Sequence, residues 1–142
     1  MTGHEFIFLA SQLIVLRTFG SAEARHRSAV SRAYYGAFHL ATEFLQELNF
    51  VVRTNHTGHE EAYRTLDQTG NADAQDAAST LDELRTLRIA ADYRLSDRKF
   101  ADEQIAKQLV GIASDFVPNL QKCREEPSRS EIQAYLNSIR ED

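Results

Sequence analysis

From Ala22 to Leu48 the chain reads AEARHRSAVSRAYYGAFHLATEFLQEL, which has the period of an amphipathic helix. Small and apolar residues recur every three or four positions, the spacing that places side chains on one face of an α-helix. We therefore predict one long helix with a single buried stripe. The stripe consists of Val30, Ala33, Ala37, Ala41, Phe44 and Leu48.

The rest of the chain continues the helical period, and no stretch sustains the alternation of a strand. Further helices are predicted over about 4–18, 58–68 and 72–94, from about 102 onward, and after Ser128. Pro118 lies inside the fifth pattern and is expected to kink or break it. The predicted core of that helix is Ile105, Leu109, Ile112, Phe116 and Leu120. Together these helices predict an all-α, up-and-down bundle of about five to six helices. The bundle is expected to form a single domain over 1–142, with the last helix (about 128–140) either inside it or appended to it.

Helix starts carry recognisable capping sequences. Three capping boxes are predicted, together with N-caps at Ser21 and Asn71. The boxes are Thr2-x-x-Glu5, Thr57-x-x-Glu60 and Ser128-x-x-Glu131.

Composition narrows the class of protein. The chain has 142 residues, 42% of them hydrophobic and 26% charged, as in an ordinary globular domain. The single cysteine, Cys123, excludes an internal disulfide and a cysteine-rich zinc module, and it fits a reducing cytoplasm. The apolar run Phe6–Leu16 is too short to span a bilayer, so no membrane association is predicted.

The charge is unevenly distributed. The formal net charge is −5, which argues against nonspecific coating of nucleic acid, and no DNA binding is predicted. Two stretches are nevertheless basic, Arg17–Leu40 with four Arg and one acid, and Arg85–Lys99 with five bases and two acids. If they meet in space, they can hold an anion or RNA locally; otherwise they are solvated helix faces.

The long helix carries a second stripe beside the apolar one. Arg32, Tyr35, Gly36 and His39 are spaced three, four and seven apart, so they share a face. Gly36 costs roughly 1 kcal/mol against Ala in a helix interior, and its expected use is close approach of a helix or ligand. The alternative is that the aromatic residues are core and His39 only satisfies a neighbour.

The fourth helix carries a similar group. Arg88 and Asp92 are four apart, which suits an intrahelical ion pair, and Tyr93 follows. Arg85 and Arg88 flank the leucines of the core face, so at least one should be partly buried and have a specific partner. That partner is a phosphate in one interpretation. In another, Arg32 contacts Asp92 and the stripe is structural.

Two histidines, His56 and His59, stand three apart at the start of the third helix. No second cluster completes a metal site, and the sequence lacks phosphate-binding glycine loops and the common hydrolase motifs. We predict neither a metal nor a cofactor.

Three segments, in this order, resemble the HEPN family. Arg27-Ser-Ala-Val-Ser-Arg-Ala-Tyr-Tyr-Gly-Ala-Phe-His39 is similar to its R-x-A-x-S-R-A-Y-Y-x-x-F-H core. His56-Thr-Gly58 resembles its H-S/T-G segment, and Arg88-Ile-Ala-Ala-Asp-Tyr93 its R-x-x-A-D-Y segment. The resemblance implies a helical bundle, usually a homodimer, in a family of metal-independent ribonucleases, toxins or defence effectors, and partners of a small nucleotidyltransferase.

Nucleolytic members of that family carry Arg-x4–6-His, and this chain departs from the motif after Arg88. Arg32 and His39 do have an Arg-x6-His spacing, but they lie on an earlier segment than the usual motif. Tyr93 and Arg94 stand where the histidine is expected after Arg88. The first hypothesis is therefore a HEPN-fold protein that binds nucleotide, RNA or a partner, in a toxin–antitoxin or defence pair with a small nucleotidyltransferase. The second is an active ribonuclease producing 2′,3′-cyclic phosphate, with Arg88 and His39 as catalytic residues. The third is a structural scaffold. The binding residues expected under the first two are Arg32, Tyr35, His56, Arg85, Asp92 and Tyr93.

Overall fold

The fold is that of a helical bundle, seen in a computed structural model that describes residues 1–17, 20–53 and 55–140. Within these ranges the chain forms helices and no strands. The predicted all-α bundle is confirmed. The helices are α1 (Gly3–Val15), α2 (Ala22–Glu47), α3 (Gly58–Asp67), α4 (Ala72–Tyr93), α5 (Glu103–Arg124) and α6 (Ser128–Arg140), with a 3-10 turn at Arg98–Ala101.

Helix α2 is the central element and packs against α1, α4 and α5. Every residue of its predicted apolar stripe is buried, because its neighbours cover that face along the whole length. Among the helices of the described ranges, none has both the length and the apolar character that a membrane span needs.

Close contact between α1 and α2 depends on two glycines. A Cβ at Gly36 would lie 2.8 Å from the carbonyl oxygen of Gly3, and one at Gly3 would lie 2.6 Å from the carbonyl oxygen of Gly36. Real Cβ atoms do not approach an oxygen so closely, so each glycine makes room for the other backbone. The expected use of Gly36 as a point of helix approach is confirmed.

Arg27 joins α2 to the carboxyl end of α4. Its guanidinium donates hydrogen bonds to five backbone carbonyls at 2.9–3.3 Å and to the carboxylate of Glu23. Its Cζ also lies 4.6 Å from the ring centroid of Phe100. The last carbonyls of a helix lack N–H partners within the helix. Arg27 donates to two carbonyls in the last turn of α4 and to three in the segment that follows it. Its five acceptors are the carbonyls of Ala90, Ala91, Arg94, Leu95 and Asp97.

The helix starts follow the predicted caps at three of five places. The Thr2 box is formed, and Ser21 and Asn71 accept from backbone N–H groups as predicted. The box at Thr57 is wrong, since the Thr57 hydroxyl donates to the Asn55 side chain at 2.6 Å instead.

The predicted box at Ser128 is also wrong, for a different reason. The Ser128 hydroxyl donates to Asp73 at 2.6 Å, and Glu131 accepts from the Asn71 amide at 2.6 Å. Both side chains therefore bind the start of α4 rather than cap their own helix. Ser128 and Glu131, which the capping motif assigned to the start of α6, instead attach α6 to α4.

Two helix predictions need correction at α1 and α5. Helix α1 ends at Val15 rather than near 18, because Leu16 adopts an extended backbone with ψ 134°; Thr18 lies outside the described residues. Helix α5 continues unbroken through Pro118, because the buried Phe116 and Leu120 on either side hold both halves against the core.

The buried face of α5 is rotated by one residue from the prediction in the first half of the helix, whereas Phe116 and Leu120 are buried as predicted. Ile105, Leu109 and Ile112 are only partly buried, and smaller residues take the innermost positions. Small side chains there let α5 lie close to α2 and α4. The innermost residues are Ala106, Val110, Ala113, Phe116, Leu120 and Cys123.

Candidate functional site

An unbroken chain of aromatic rings crosses α1, α2 and α3, and we call it the aromatic array. Neighbouring ring centroids along it are 5.1–6.4 Å apart, the range in which aromatic rings attract one another. The buried members fix the exposed ones in place, so the array is a rigid surface. Its members are Phe6, Tyr34, Tyr35, Phe38, His39, His59 and Tyr63.

Arg88 lies on this array. Its Cζ is 5.4 Å from the ring centroid of Tyr34 and 5.7 Å from that of Tyr35, and its side chain is 18% exposed. Its Nη1 is 3.6 Å from the Asp92 carboxylate, so the predicted ion pair is present. The buried Nε has no hydrogen-bond partner among the described residues. Arg88 is thus held in position with donors to spare.

Arg32 lies at the Phe6 end of the array. Its Cζ is 5.9 Å from the ring centroid of Phe6, on which His39 also stacks at 5.3 Å. The contact with Asp92 that a structural stripe would require does not form. Asp92 instead pairs with Arg88 and accepts a 3.4 Å hydrogen bond from Ser31. Arg32 is exposed, and its guanidinium faces solvent apart from the ring.

Beneath Arg88 runs a hydrogen-bonded chain from Asp82 through His59 to Tyr34. The Tyr34 hydroxyl is 2.8 Å from His59 Nδ1, and His59 Nε2 is 3.4 Å from the Asp82 carboxylate. A carboxylate only accepts, so Nε2 carries a hydrogen. In the neutral form of His59, Nδ1 then accepts from the tyrosine hydroxyl.

The directions of the pKa shifts in this hydrogen-bonded series agree with a neutral His59. Burial lowers the pKa of His59 and outweighs the raising effect of Asp82, while the nearby Arg85 lowers it further. Burial raises the pKa of Tyr34 to about 12, although the charges of Arg88 and Arg85 act in the opposite direction. At neutral pH the Tyr34 hydroxyl and the His59 imidazole in this hydrogen-bonded series are therefore both uncharged.

Protein stability should depend on pH through His59. Its pKa in the folded state lies below the ordinary value of 6.5, so below that pH the unfolded chain binds the proton more readily. We expect the free energy of unfolding to fall as the pH is lowered from about 7 to about 5.5. Urea titrations across this range should show the fall, and it should be smaller in His59→Asn. A variant with the same pH dependence as the parent would contradict this role.

The other predicted residues occupy different surroundings. Arg85 is half-buried, and its charge reaches Tyr34 and His59. His56 is exposed in the turn before α3, and Tyr93 is 73% exposed at the end of α4. Neither side chain forms a hydrogen bond, ion pair or ring contact with the described part of the chain. The structure therefore brings together Arg32, Tyr35, His39, Arg85, Arg88 and Asp92 but not His56 or Tyr93.

Sequence reasoning did not place His59 and Asp82 in the site. They stand 23 residues apart on α3 and α4, and no spacing rule joins them. The only signal in the sequence is the pair His56 and His59, three apart at a helix start, which suggests a metal or an anion. Within the described ranges, no group of three or more His, Cys, Asp or Glu side chains is gathered closely enough to hold a metal ion.

The cysteine has no chemical role at this face. Cys123 is buried near the end of α5, and burial raises the pKa of its thiol to about 12. Thiolate is the reactive form, so this residue is inert in the folded protein.

Comparison with known proteins leaves the site to be interpreted from its own geometry. The chain matches none of the protein-family models, curated proteins or solved structures with which it was compared. What the geometry offers is a rigid row of rings with one guanidinium group on Phe6 and another over Tyr34 and Tyr35, in a protein of acidic net charge.

Proposed function

We propose that the aromatic array with Arg32 and Arg88 is a binding surface for RNA or a nucleotide, in a HEPN-type protein that acts with a protein partner. One observation carries the proposal. Two guanidinium groups lie across one continuous row of rings, 5.4–5.9 Å from the ring centroids, and part of that row is exposed.

This combination suits both parts of a nucleotide. Guanidinium groups bind phosphate through paired donors, and exposed aromatic rings stack with bases. Surfaces that bind single-stranded nucleic acid without strict sequence preference use these same two elements. The acidic net charge confines the attraction to this face.

Of the two arginines, Arg88 is held more firmly in position to bind a phosphate than Arg32. Its ion pair with Asp92 is 3.6 Å long, well beyond the roughly 2.7–2.9 Å of a charge-assisted hydrogen bond. Two aromatic rings hold the guanidinium, so little side-chain entropy is lost when a ligand binds. A phosphate can therefore use donors that Asp92 leaves free.

The partner in this proposal is a second copy of the chain, with a nucleotidyltransferase-type protein as an additional partner. Large apolar side chains are exposed along α1, with Phe8 67% and Val15 45% exposed, and such patches favour protein contacts. Light scattering should then give a mass about twice 16.1 kDa. A monomer at all accessible concentrations would remove the homodimer from the proposal.

A second candidate function is metal-independent RNA cleavage. It is favoured by His39, an exposed imidazole one turn from Tyr35, on whose ring Arg88 lies. Histidine can exchange protons near neutral pH and so assist attack by a 2′-hydroxyl. No histidine follows Arg88 at the Arg-x4–6-His spacing, which is why binding is the primary proposal.

Substitution of Arg88 tests the function. Arg88→Met keeps the apolar contact with the rings and removes the charge, so we expect roughly tenfold weaker binding of a short single-stranded RNA at low salt. Arg64→Met is the matched control, because Arg64 is an exposed arginine on α3 paired only with Glu60. Fluorescence anisotropy with a labelled oligonucleotide gives both affinities.

The same samples distinguish the candidates. Equal affinities for parent and Arg88→Met would contradict the binding proposal. If the parent, without added metal, leaves RNA ends with 2′,3′-cyclic phosphate and Arg88→Met does not, the second candidate replaces the first. We expect binding without cleavage.

A further inference from the structure

A groove of about 360 Å³ lies beside the exposed end of the aromatic array, between α2 and the segment 51–53. Three rings of the array line it on the α2 side, and an aliphatic side chain, 73% exposed, lines it from the segment. The volume falls within the roughly 300–1,000 Å³ of small-molecule sites. The lining residues used below are Tyr35, Phe38, His39, Gln46, Val51 and Arg53.

The shape of the groove is fixed by its surroundings. Phe38 stacks on the buried Tyr34 with centroids 6.2 Å apart, which holds the aromatic side. On the other side, a Cβ at Gly58 would overlap the carbonyl oxygen of Arg53 and come within 3.2 Å of Phe38. The glycine of the His-Thr-Gly segment therefore lets the chain at Arg53 lie close to the rings. The groove exists before any ligand binds.

Its polar groups are few and well placed. The Thr42 hydroxyl donates to the carbonyl oxygen of His39, so that donor is already used. Gln46 is exposed and its amide makes no hydrogen bond with the described residues, which leaves a donor and an acceptor side by side. An amide presents the pattern that matches the edge of a base.

A cation stands at the mouth of the groove. The Arg53 side chain is 72% exposed, and its Nε is 3.9 Å from Glu61, too far for a hydrogen bond. On the other flank, Tyr35 both lines the groove and carries Arg88. The ring-lined groove thus has the guanidinium group of Arg53 at its mouth and that of Arg88 on Tyr35 at its other flank.

We propose that this groove is a nucleobase site, which takes one unstacked, unpaired base of a single-stranded nucleotide. The base stacks on the rings and Gln46 contacts its edge, while Arg53 and Arg88 meet the flanking phosphates. This inference rests on the proposed function and adds to it: the ligand is single-stranded, because a base within a duplex cannot enter. The chemistry is shared by a free nucleotide and by an RNA strand.

Titrations of the ¹⁵N-labelled protein followed by NMR test the site with three ligands: AMP, ribose 5-phosphate and a hexamer of adenylate. AMP and the hexamer should shift backbone amide signals along 35–53, whereas ribose 5-phosphate, which has no base, should bind at least tenfold more weakly there. Tighter binding by AMP than by one hexamer site identifies free nucleotide as the source, and the reverse identifies RNA; both support a base site.

Two exposed positions provide the variants. Gln46→Ala should weaken AMP binding roughly fivefold by removing the edge contact. His39→Ala should weaken it roughly tenfold, and His39→Phe should restore it, because the ring rather than its charge is needed. Gln108→Ala, at an exposed glutamine of α5, is the matched control and should change nothing.

Two outcomes would overturn the inference. In the first, ribose 5-phosphate binds as tightly as AMP and moves the same signals. In the second, Gln46→Ala and His39→Ala leave RNA affinity unchanged while Arg88→Met reduces it, so that phosphate binding stands and the base site falls. If no ligand binds the parent, the proposed function fails together with the inference.

Discussion

Arg27→Met is expected to lower the free energy of unfolding by about 3–5 kcal/mol, the largest effect of any substitution considered. Methionine keeps the length of the side chain and its packing on Phe100. It removes every donor from a guanidinium whose side chain is only 10% exposed. The carbonyls of Ala91, Leu95 and Asp97 then lose their bonds to it, and each unsatisfied buried acceptor costs about 1–3 kcal/mol. The carbonyls of Ala90 and Arg94 keep a backbone N–H donor.

Urea unfolding followed by far-UV circular dichroism measures this loss. Arg64→Met is again the control, since Arg64 is 62% exposed and its substitution should change stability by no more than about 0.5 kcal/mol. Arg27→Lys should fall between the two, because one ammonium group cannot reach five carbonyls. If Arg27→Met and Arg64→Met unfolded at the same urea concentration, Arg27 would not hold the end of α4.

The second large effect is expected at the contact of α1 with α2. Gly36→Ala should lower the free energy of unfolding by about 2 kcal/mol, even though alanine favours a helix by about 1 kcal/mol. The new Cβ would lie 2.8 Å from the Gly3 carbonyl oxygen and 2.8 Å from Ile7. Backbone cannot move aside as a flexible side chain can, so α1 has to shift.

Gly111→Ala gives this prediction a control of opposite sign. Gly111 lies inside α5, and a Cβ there would meet nothing within 4 Å. The same substitution should therefore raise the free energy of unfolding by up to about 1 kcal/mol. Thermal or urea unfolding of the two variants measures the difference. A stabilised Gly36→Ala protein would show that the two backbones do not need the glycine.

A shift of α1 also reaches the candidate site. Phe6 belongs to α1 and carries both Arg32 and the stack with His39. Gly36→Ala should therefore weaken RNA binding as well as stability, whereas Gly111→Ala should leave binding unchanged.

The features that the sequence predicted are those set by short spacings. The stripe on α2 and the Arg88–Asp92 pair depend only on the period of one helix, which composition and pattern reveal. The use of Gly36 was also foreseen, since a glycine in a helix interior needs a reason.

Features that depend on contacts between distant segments could not be predicted. Arg27 reaches carbonyls 63–70 residues away, and no spacing in the sequence indicates that it contacts them. The aromatic array joins three helices, so its continuity is visible only after packing. The capping motif at Ser128 predicts a bond to the backbone of α6, but the side chain binds partners at the start of α4 instead.

The buried cysteine makes local unfolding of the bundle measurable. Cys123 is the one thiol in the chain, and with a pKa of about 12 and no exposed surface it cannot react with a thiol reagent while α5 is packed. Its rate of modification therefore reports how often this end of the bundle opens. Helix α6 is bound to the start of α4 near Cys123, so detachment of α6 should raise the rate of modification. A disturbance confined to the α1–α2 contact should leave that rate unchanged.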